Sequence, residues 1–208
     1  MPNLPLENTL PSNLACVYLH GFLSSPLSKK AQQLIQYFAE RGMADQLSVP
    51  CLSFEPQQAI QQAKDAISEL QQKPGIDSVF VIGSSLGGYY ATYLSQEMGI
   101  KAALINPAVK PYELFDDYLG PNQHFYDGKT YILEMKHIEQ LKQLEVEEIS
   151  QPENLLLLLQ TGDETLDYQQ ASVKYINSPS WIEAGGDHSF VDFIERLEMI
   201  FHFAQADY

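Results

Sequence analysis

Ser78-Val79-Phe80-Val81-Ile82-Gly83-Ser84-Ser85-Leu86-Gly87-Gly88 is the stretch on which the reading of this chain turns. A short apolar strand, Ser78–Ile82, runs into a glycine-rich corner, and a helical segment from about Leu86 to Met98 leaves it. Gly83, Ser85 and Gly87 form G-x-S-x-G between strand and helix. A serine there must sit on a tight turn so that its hydroxyl projects beyond the sheet edge. Small residues two positions to either side keep strand and helix from clashing. The helix that starts there also aims its N–H groups at negative charge developing on a reacting oxygen. A phosphate-binding turn is the competing explanation, but the segment is not G-x-G-x-x-G and has no P-loop lysine. Ser84 holds the variable position and is expected not to reach a substrate as Ser85 does.

Outward from this corner, short apolar runs alternate with segments of helical spacing. The strands expected are Leu14–Leu19, Leu47–Val49, Ser78–Ile82, Ala102–Ile105, Leu155–Leu159 and Trp181–Glu183. Most are apolar throughout, as in a parallel sheet covered on both faces. Helices are expected after Ser25-Pro26 up to Gly42, from Pro56 to Pro74-Gly75, from Leu86 to Gly99, from Tyr168 to Tyr175, and from Ser189 to about Phe203. The fold class is therefore α/β, a six-stranded, mainly parallel sheet with helices on both faces. Residues 14–208 read as one domain behind a flexible leader, residues 1–13. The stretch 108–152 breaks the alternation, with one helix expected at Glu134–Leu144. Its length and its Tyr112, Phe115, Tyr118, Phe125, Tyr126 and Tyr131 suit a lid-like insertion. These aromatics serve equally as a wall for an acyl chain or as anchors to the domain.

Two later strands end in the residues that a nucleophilic serine needs. Leu155–Leu159 leads into Gln160-Thr161-Gly162-Asp163-Glu164, where Asp163 is the candidate acid; Glu164 and Asp167 are alternatives, Asp167 better placed to cap the following helix. Trp181–Glu183 leads into Gly185-Gly186-Asp187-His188, where His188 is the candidate base. The chain order Ser85, Asp163, His188 is that of a hydrolase built on a strand–turn–helix nucleophile. The first strand ends in His20-Gly21-Phe22, so the backbone N–H groups of Phe22 and Leu86 are the candidate oxyanion hole. His124, His137 and His202 read as surface or core residues, no spacing resembles a metal site, and no cofactor is implied.

Charge and composition narrow the partners. A net charge of −15 repels both nucleic acid and anionic membranes, and Lys29-Lys30 is the only adjacent basic pair. No apolar run is long enough to span a bilayer, and the first residues lack the basic start and apolar stretch of a signal peptide. Cys16 and Cys51 are expected as free thiols, and the cytoplasm is the expected compartment.

With these residues on the page, the chain resembles the small bacterial esterases of the YqiA family. The resemblance spans almost everything after the leader. It rests on Tyr18-Leu19-His20-Gly21-Phe22, Gly83 through Tyr89, Asn106-Pro107-Ala108, Thr161-Gly162-Asp163-Glu164 through Asp167-Tyr168, and Gly185 through Phe190. It implies a compact α/β-hydrolase fold lacking the first two strands of the larger fold, with activity on short- to medium-chain esters. The expected partner is thus a small-molecule ester, hydrolysed through an acyl-enzyme on Ser85. Hydrolysis of acyl-coenzyme A thioesters is a second reading, but the polyanionic coenzyme would need a basic site, for which Lys101 and Lys110 are the nearest in sequence. A non-catalytic ligand-binding protein on the same scaffold is a third, and it would need none of the three residues.

Overall fold

In a computed structural model, the chain is described over residues 10–126 and 128–206. Residues 1–9 of the leader lie outside that range, and Leu10, at its described end, is buried. Among the described residues there are eight strands, β1 (Leu14–Leu19), β2 (Leu47–Ser48), β3 (Ser78–Ser84), β4 (Ala102–Ile105), β5 (Gly120–Gln123), β6 (Thr130–Leu133), β7 (Leu155–Gln160) and β8 (Ser180–Glu183). Six of them make one sheet in the order β2-β1-β3-β4-β7-β8, and every neighbouring pair is parallel. All six predicted strands are therefore present, each within a residue or two of its expected ends.

The inner strands are apolar because both faces of the sheet are covered there, whereas the edge strand β8 is largely exposed. Every residue of β1 and β7 is buried. Successive side chains point to opposite faces. Ala15, Val17, Val81, Leu104 and Leu157 pack with α2 (Pro56–Gln71) and α3 (Leu86–Met98). Cys16, Tyr18, Phe80, Ile82 and Leu158 pack with α1 (Lys29–Glu40) and α7 (Leu197–Gln205). Each fully buried valine, leucine, isoleucine or phenylalanine among them contributes about 1.5–3 kcal/mol relative to exposure.

Two helix starts differ from expectation. Ser25-Pro26 does not begin α1. Ser25 instead closes a turn, its Oγ accepting from Leu27 N–H and its carbonyl from Ser28 N–H, and the helix starts at Lys29. The last helix does not begin at Ser189. Phe190 and Asp192 take φ of 60° and 58°, which no helix accommodates, and a 3-10 turn at Phe193–Arg196 precedes α7.

The insertion between β4 and β7 holds more structure than its sequence suggests. Besides the expected helix, now α5 (Met135–Gln143), it contains α4 (Pro111–Phe115) and an antiparallel hairpin of β5 and β6. Glu134 caps α5 in a reciprocal arrangement with His137, whose Nδ1 accepts from Glu134 N–H at 2.9 Å. A helix α6 (Tyr168–Lys174) then links β7 to β8, capped by the Asp167 carboxylate as expected.

From β1 the chain steps outward to β2 and then crosses to β3 on the other side of β1. Such a reversal opens a crevice at the carboxyl ends of the strands, where α/β sheets place their ligands. Among the described residues, no helix is long and apolar enough to cross a membrane.

Candidate active site

Ser85 sits between β3 and α3 with φ 58° and ψ −120°, a conformation that costs about 1–3 kcal/mol for a residue with a side chain. The surrounding bonds hold it there. Ser85 N–H donates to the Ile105 carbonyl at 3.0 Å, and its own carbonyl accepts from Gly88 and Ala108 N–H at 2.9 and 3.1 Å. The glycines of the motif are sterically required. A Cβ on Gly83 would lie 2.2 Å from the Gly87 carbonyl oxygen, and one on Gly87 would lie 2.1 Å from that of Leu19. Ser84 is buried, with its hydroxyl against the Tyr18 ring hydroxyl, although it too borders the cavity described below.

The candidate base and acid converge on this serine. His188 Nε2 lies 3.1 Å from Ser85 Oγ, and His188 Nδ1 lies 2.8 Å from Asp163 Oδ2. The Asp163 side chain is only 2% exposed and that of His188 24%. Burial alone would raise the Asp163 pKa. The bonds from His188 and from Leu166 and Thr165 N–H outweigh it, and hold the carboxyl below its ordinary range. An ionised carboxylate selects the imidazole tautomer with its proton on Nδ1, which leaves Nε2 to accept from the serine. Glu164, the alternative acid, does a different job, its Oε2 accepting the backbone N–H of His188 at 3.0 Å.

Three further side chains hold this arrangement, none of them singled out from sequence for the purpose. Asn106, at the end of β4 with φ 41°, donates to the Asp187 carbonyl and accepts from Gln160 N–H, both at 3.0 Å. The buried Gln160 amide accepts from Asp187 and Val191 N–H and donates to Glu183 and the Val191 carbonyl. The loop bearing His188 is thus tied to β4 and β7 from both sides. His20 does the same for the opposite loop. Its Nε2 accepts from Leu52 N–H at 3.1 Å, so its proton resides on Nδ1, which donates to the Gly21 carbonyl at 3.0 Å. Burial lowers its pKa and favours this neutral form. The Gly21 carbonyl belongs to the same peptide plane as Phe22 N–H, so the ring sets the direction of that donor. Among the described residues, neither Phe22 N–H nor Leu86 N–H is engaged by another protein group.

Two cavities meet at the turn Gly21-Phe22-Leu23-Ser24. The larger, about 590 Å³, is lined by Ser85, His188, Lys29 and Lys30 on the sheet side and by Tyr118, Phe125 and Tyr126 of the insertion. The smaller, about 70 Å³, lies beyond Phe22 and Leu86 and is walled by Leu52, Phe54, Tyr90 and Tyr131. The insertion aromatics therefore divide. Phe115 is buried against Phe22 with ring centres 4.5 Å apart, and Tyr112 bonds Glu145 away from both cavities. His124 Nε2 reaches the Ser24 carbonyl at 2.9 Å, joining the hairpin turn to the loop after Phe22. His137 is a buried cap and His202 an exposed partner of Glu198. Among the described residues, no group of His, Cys, Asp and Glu has the arrangement of a metal site.

The model of an uncharacterised protein family, UPF0227, matches residues 15–205. The chain is 26% identical to a UPF0227 protein of Pasteurella multocida (strain Pm70) over 119 residues, 57% of this chain and 64% of that protein. Its matches span less than two thirds of the length of the curated relatives. Among solved structures it is similar to a protein from Agrobacterium vitis S4 that carries a hydrolase name. The TM-score is 0.72 at 18% identity, over 95% of this chain and 91% of that one. It is also similar to a structure from the work on the metagenome-derived lipolytic enzymes LipS and LipT. There the TM-score is 0.66 at 15% identity, over 95% of both chains. At these identities the likeness is one of fold, the α/β-hydrolase fold.

Proposed function

The chain belongs to the UPF0227 family, the YqiA family, and from the site it carries we propose that it is a serine esterase acting on short- to medium-chain carboxylic esters. The observation that carries this reading is the single imidazole within hydrogen-bond reach of both Ser85 Oγ and the Asp163 carboxylate. The hydrolase and lipolytic names of the structural neighbours support it.

Ser85 Oγ attacks the acyl carbon while His188 Nε2 takes its proton, and Asp163 stabilises the imidazolium that forms. The oxyanion faces Phe22 and Leu86 N–H, a type of donor worth about 3–4 kcal/mol in other hydrolases. Collapse of the tetrahedral species breaks the bond to the alcohol oxygen, which takes the proton from His188. Water then enters by the same steps and releases the acid. The small cavity beyond the oxyanion turn suits a short acyl chain.

A coenzyme A thioester is less well served by the lysines nearest in sequence. Lys101 bonds the Phe203 carbonyl at the far end of the sheet, and Lys110 pairs with Glu113 outside both cavities. The cytoplasm suits a chain whose cysteines are both free. The test is turnover of p-nitrophenyl butyrate by the wild type and by Ser85→Ala. The wild type is expected to hydrolyse it and the variant to lose at least about 10⁴-fold in kcat with an unchanged melting temperature. Full activity in the variant contradicts the reading.

A further inference from the structure

One wall of the Ser85 cavity departs from the charge of the rest of the molecule. The chain carries 12 lysines and arginines against 27 aspartates and glutamates, yet its only adjacent basic pair, Lys29-Lys30, lines this cavity. Elsewhere Lys64 pairs with Glu97, Lys136 with Glu55 and Glu134, and Arg196 with Glu183. Lys30 is half-buried, and its Nζ donates to the Ser189 carbonyl at 2.7 Å. Among the described residues neither Lys29 nor Lys30 has a carboxylate within ion-pair distance.

Both lysines stand in the first turn of α1, a helix of 12 residues whose N-cap side chain makes no capping bond. That N-cap is Ser28, which also borders the cavity. Its Oγ is shielded from solvent beside the Tyr18 hydroxyl and has no partner of hydrogen-bonding geometry. Two cations and a helix N-terminus therefore converge on one side of the nucleophile, which is a setting for an anion.

We propose that this wall is a subsite for an anionic group, a carboxylate or a phosphate, on the alcohol portion of the ester. The proposal rests on the esterase reading of Ser85 and goes further in naming the substrate class. Lys30 bonds the residue that follows His188, and His188 is the group that returns a proton to the departing oxygen. The basic wall therefore lies on the leaving-group side, and the small cavity beyond Phe22 and Leu86 is left for the acyl group. A neutral ester gains nothing from such a wall. A charged one, repelled by a protein of net charge −15, needs local compensation. Burial depresses the Lys30 pKa to about 8, against the attraction of Asp187 and Asp163, and a bound anion would hold it charged. Glu164, the carboxylate in the same lining, accepts the backbone N–H of His188.

The experiment compares kcat/KM at low ionic strength for 4-acetoxybenzoate, its neutral methyl ester and 4-acetoxyphenyl phosphate. The proteins are the wild type, the double variant Lys29→Gln/Lys30→Met, and Lys29→Glu, a change at an exposed position. The ratio of charged to neutral ester is expected to fall about tenfold or more in the double variant. It is also expected to fall in Lys29→Glu and in the wild type as salt is raised. The two charged esters separate carboxylate from phosphate recognition. A ratio that is the same in the wild type and both variants overturns the proposal while leaving the esterase reading standing. Hydrolysis of none of the three esters by folded wild type overturns both.

Discussion

Across the larger cavity, Ser85 and Phe125 belong to two walls of opposite construction. On the sheet side, the Ser85 backbone is bonded to β4 and to the chain beyond it, glycines pack against carbonyls with no room for a methyl group, and Gln160 and Asn106 tie down the loop of His188. On the insertion side, Phe125 is 77% exposed, and the hairpin turn that bears it is held to the loop after Phe22 through His124 and Phe125 N–H. One wall fixes Ser85 and the loop of His188 through hydrogen bonds and close packing, and the other offers apolar surface to whatever approaches. The contrast is what general physical chemistry demands, since a misplaced base costs orders of magnitude in rate and a misplaced aromatic ring costs a little affinity.

If the contrast holds, substitutions should sort by wall. The largest effect is expected from Asp163→Asn, which keeps the shape but favours the wrong imidazole tautomer. The expectation is a loss of about 10⁴-fold in kcat, measured by steady-state kinetics. A loss under tenfold would mean that Glu164 or another group orients His188. His20→Ala should come next. It frees the Gly21–Phe22 peptide to rotate, so kcat is expected to fall by about 10- to 100-fold with KM nearly unchanged, less than the full loss of an oxyanion donor. An effect on KM alone would make His20 a substrate contact and break the assignment. Phe125→Ala should be mildest, a rise of about two- to fivefold in KM for aromatic or longer-chain esters with kcat retained. A collapse of kcat there would show that the insertion takes part in the chemistry and would erase the distinction between the walls.

The same contrast explains what could be read from the amino-acid sequence. Gly83 and Gly87 were legible because steric exclusion leaves no other residue type, and β1 and β7 because full burial makes them apolar throughout. Asp163 and His188 were legible because each follows a strand that ends at the same sheet edge. Gln160 and Asn106 were not, since they act on backbone groups far along the chain, a relation that leaves no local pattern. The hairpin was not legible because Gly120-Pro121-Asn122-Gln123 has no alternation of apolar and polar residues, and its pairing with β6 supplies what its composition lacks. Lys29-Lys30 was visible as a pair, but only the packing of α1 beside Ser85 brings it to the cavity.

The central claim is that Ser85 is an activated nucleophile, and the most direct measurement is reaction with a fluorophosphonate followed by mass mapping of the modified peptide. A single adduct on Ser85, lost in His188→Ala while that variant remains folded, is the predicted result. Folded wild-type protein that takes up no label, or that carries it on Ser84 or elsewhere, would contradict the account.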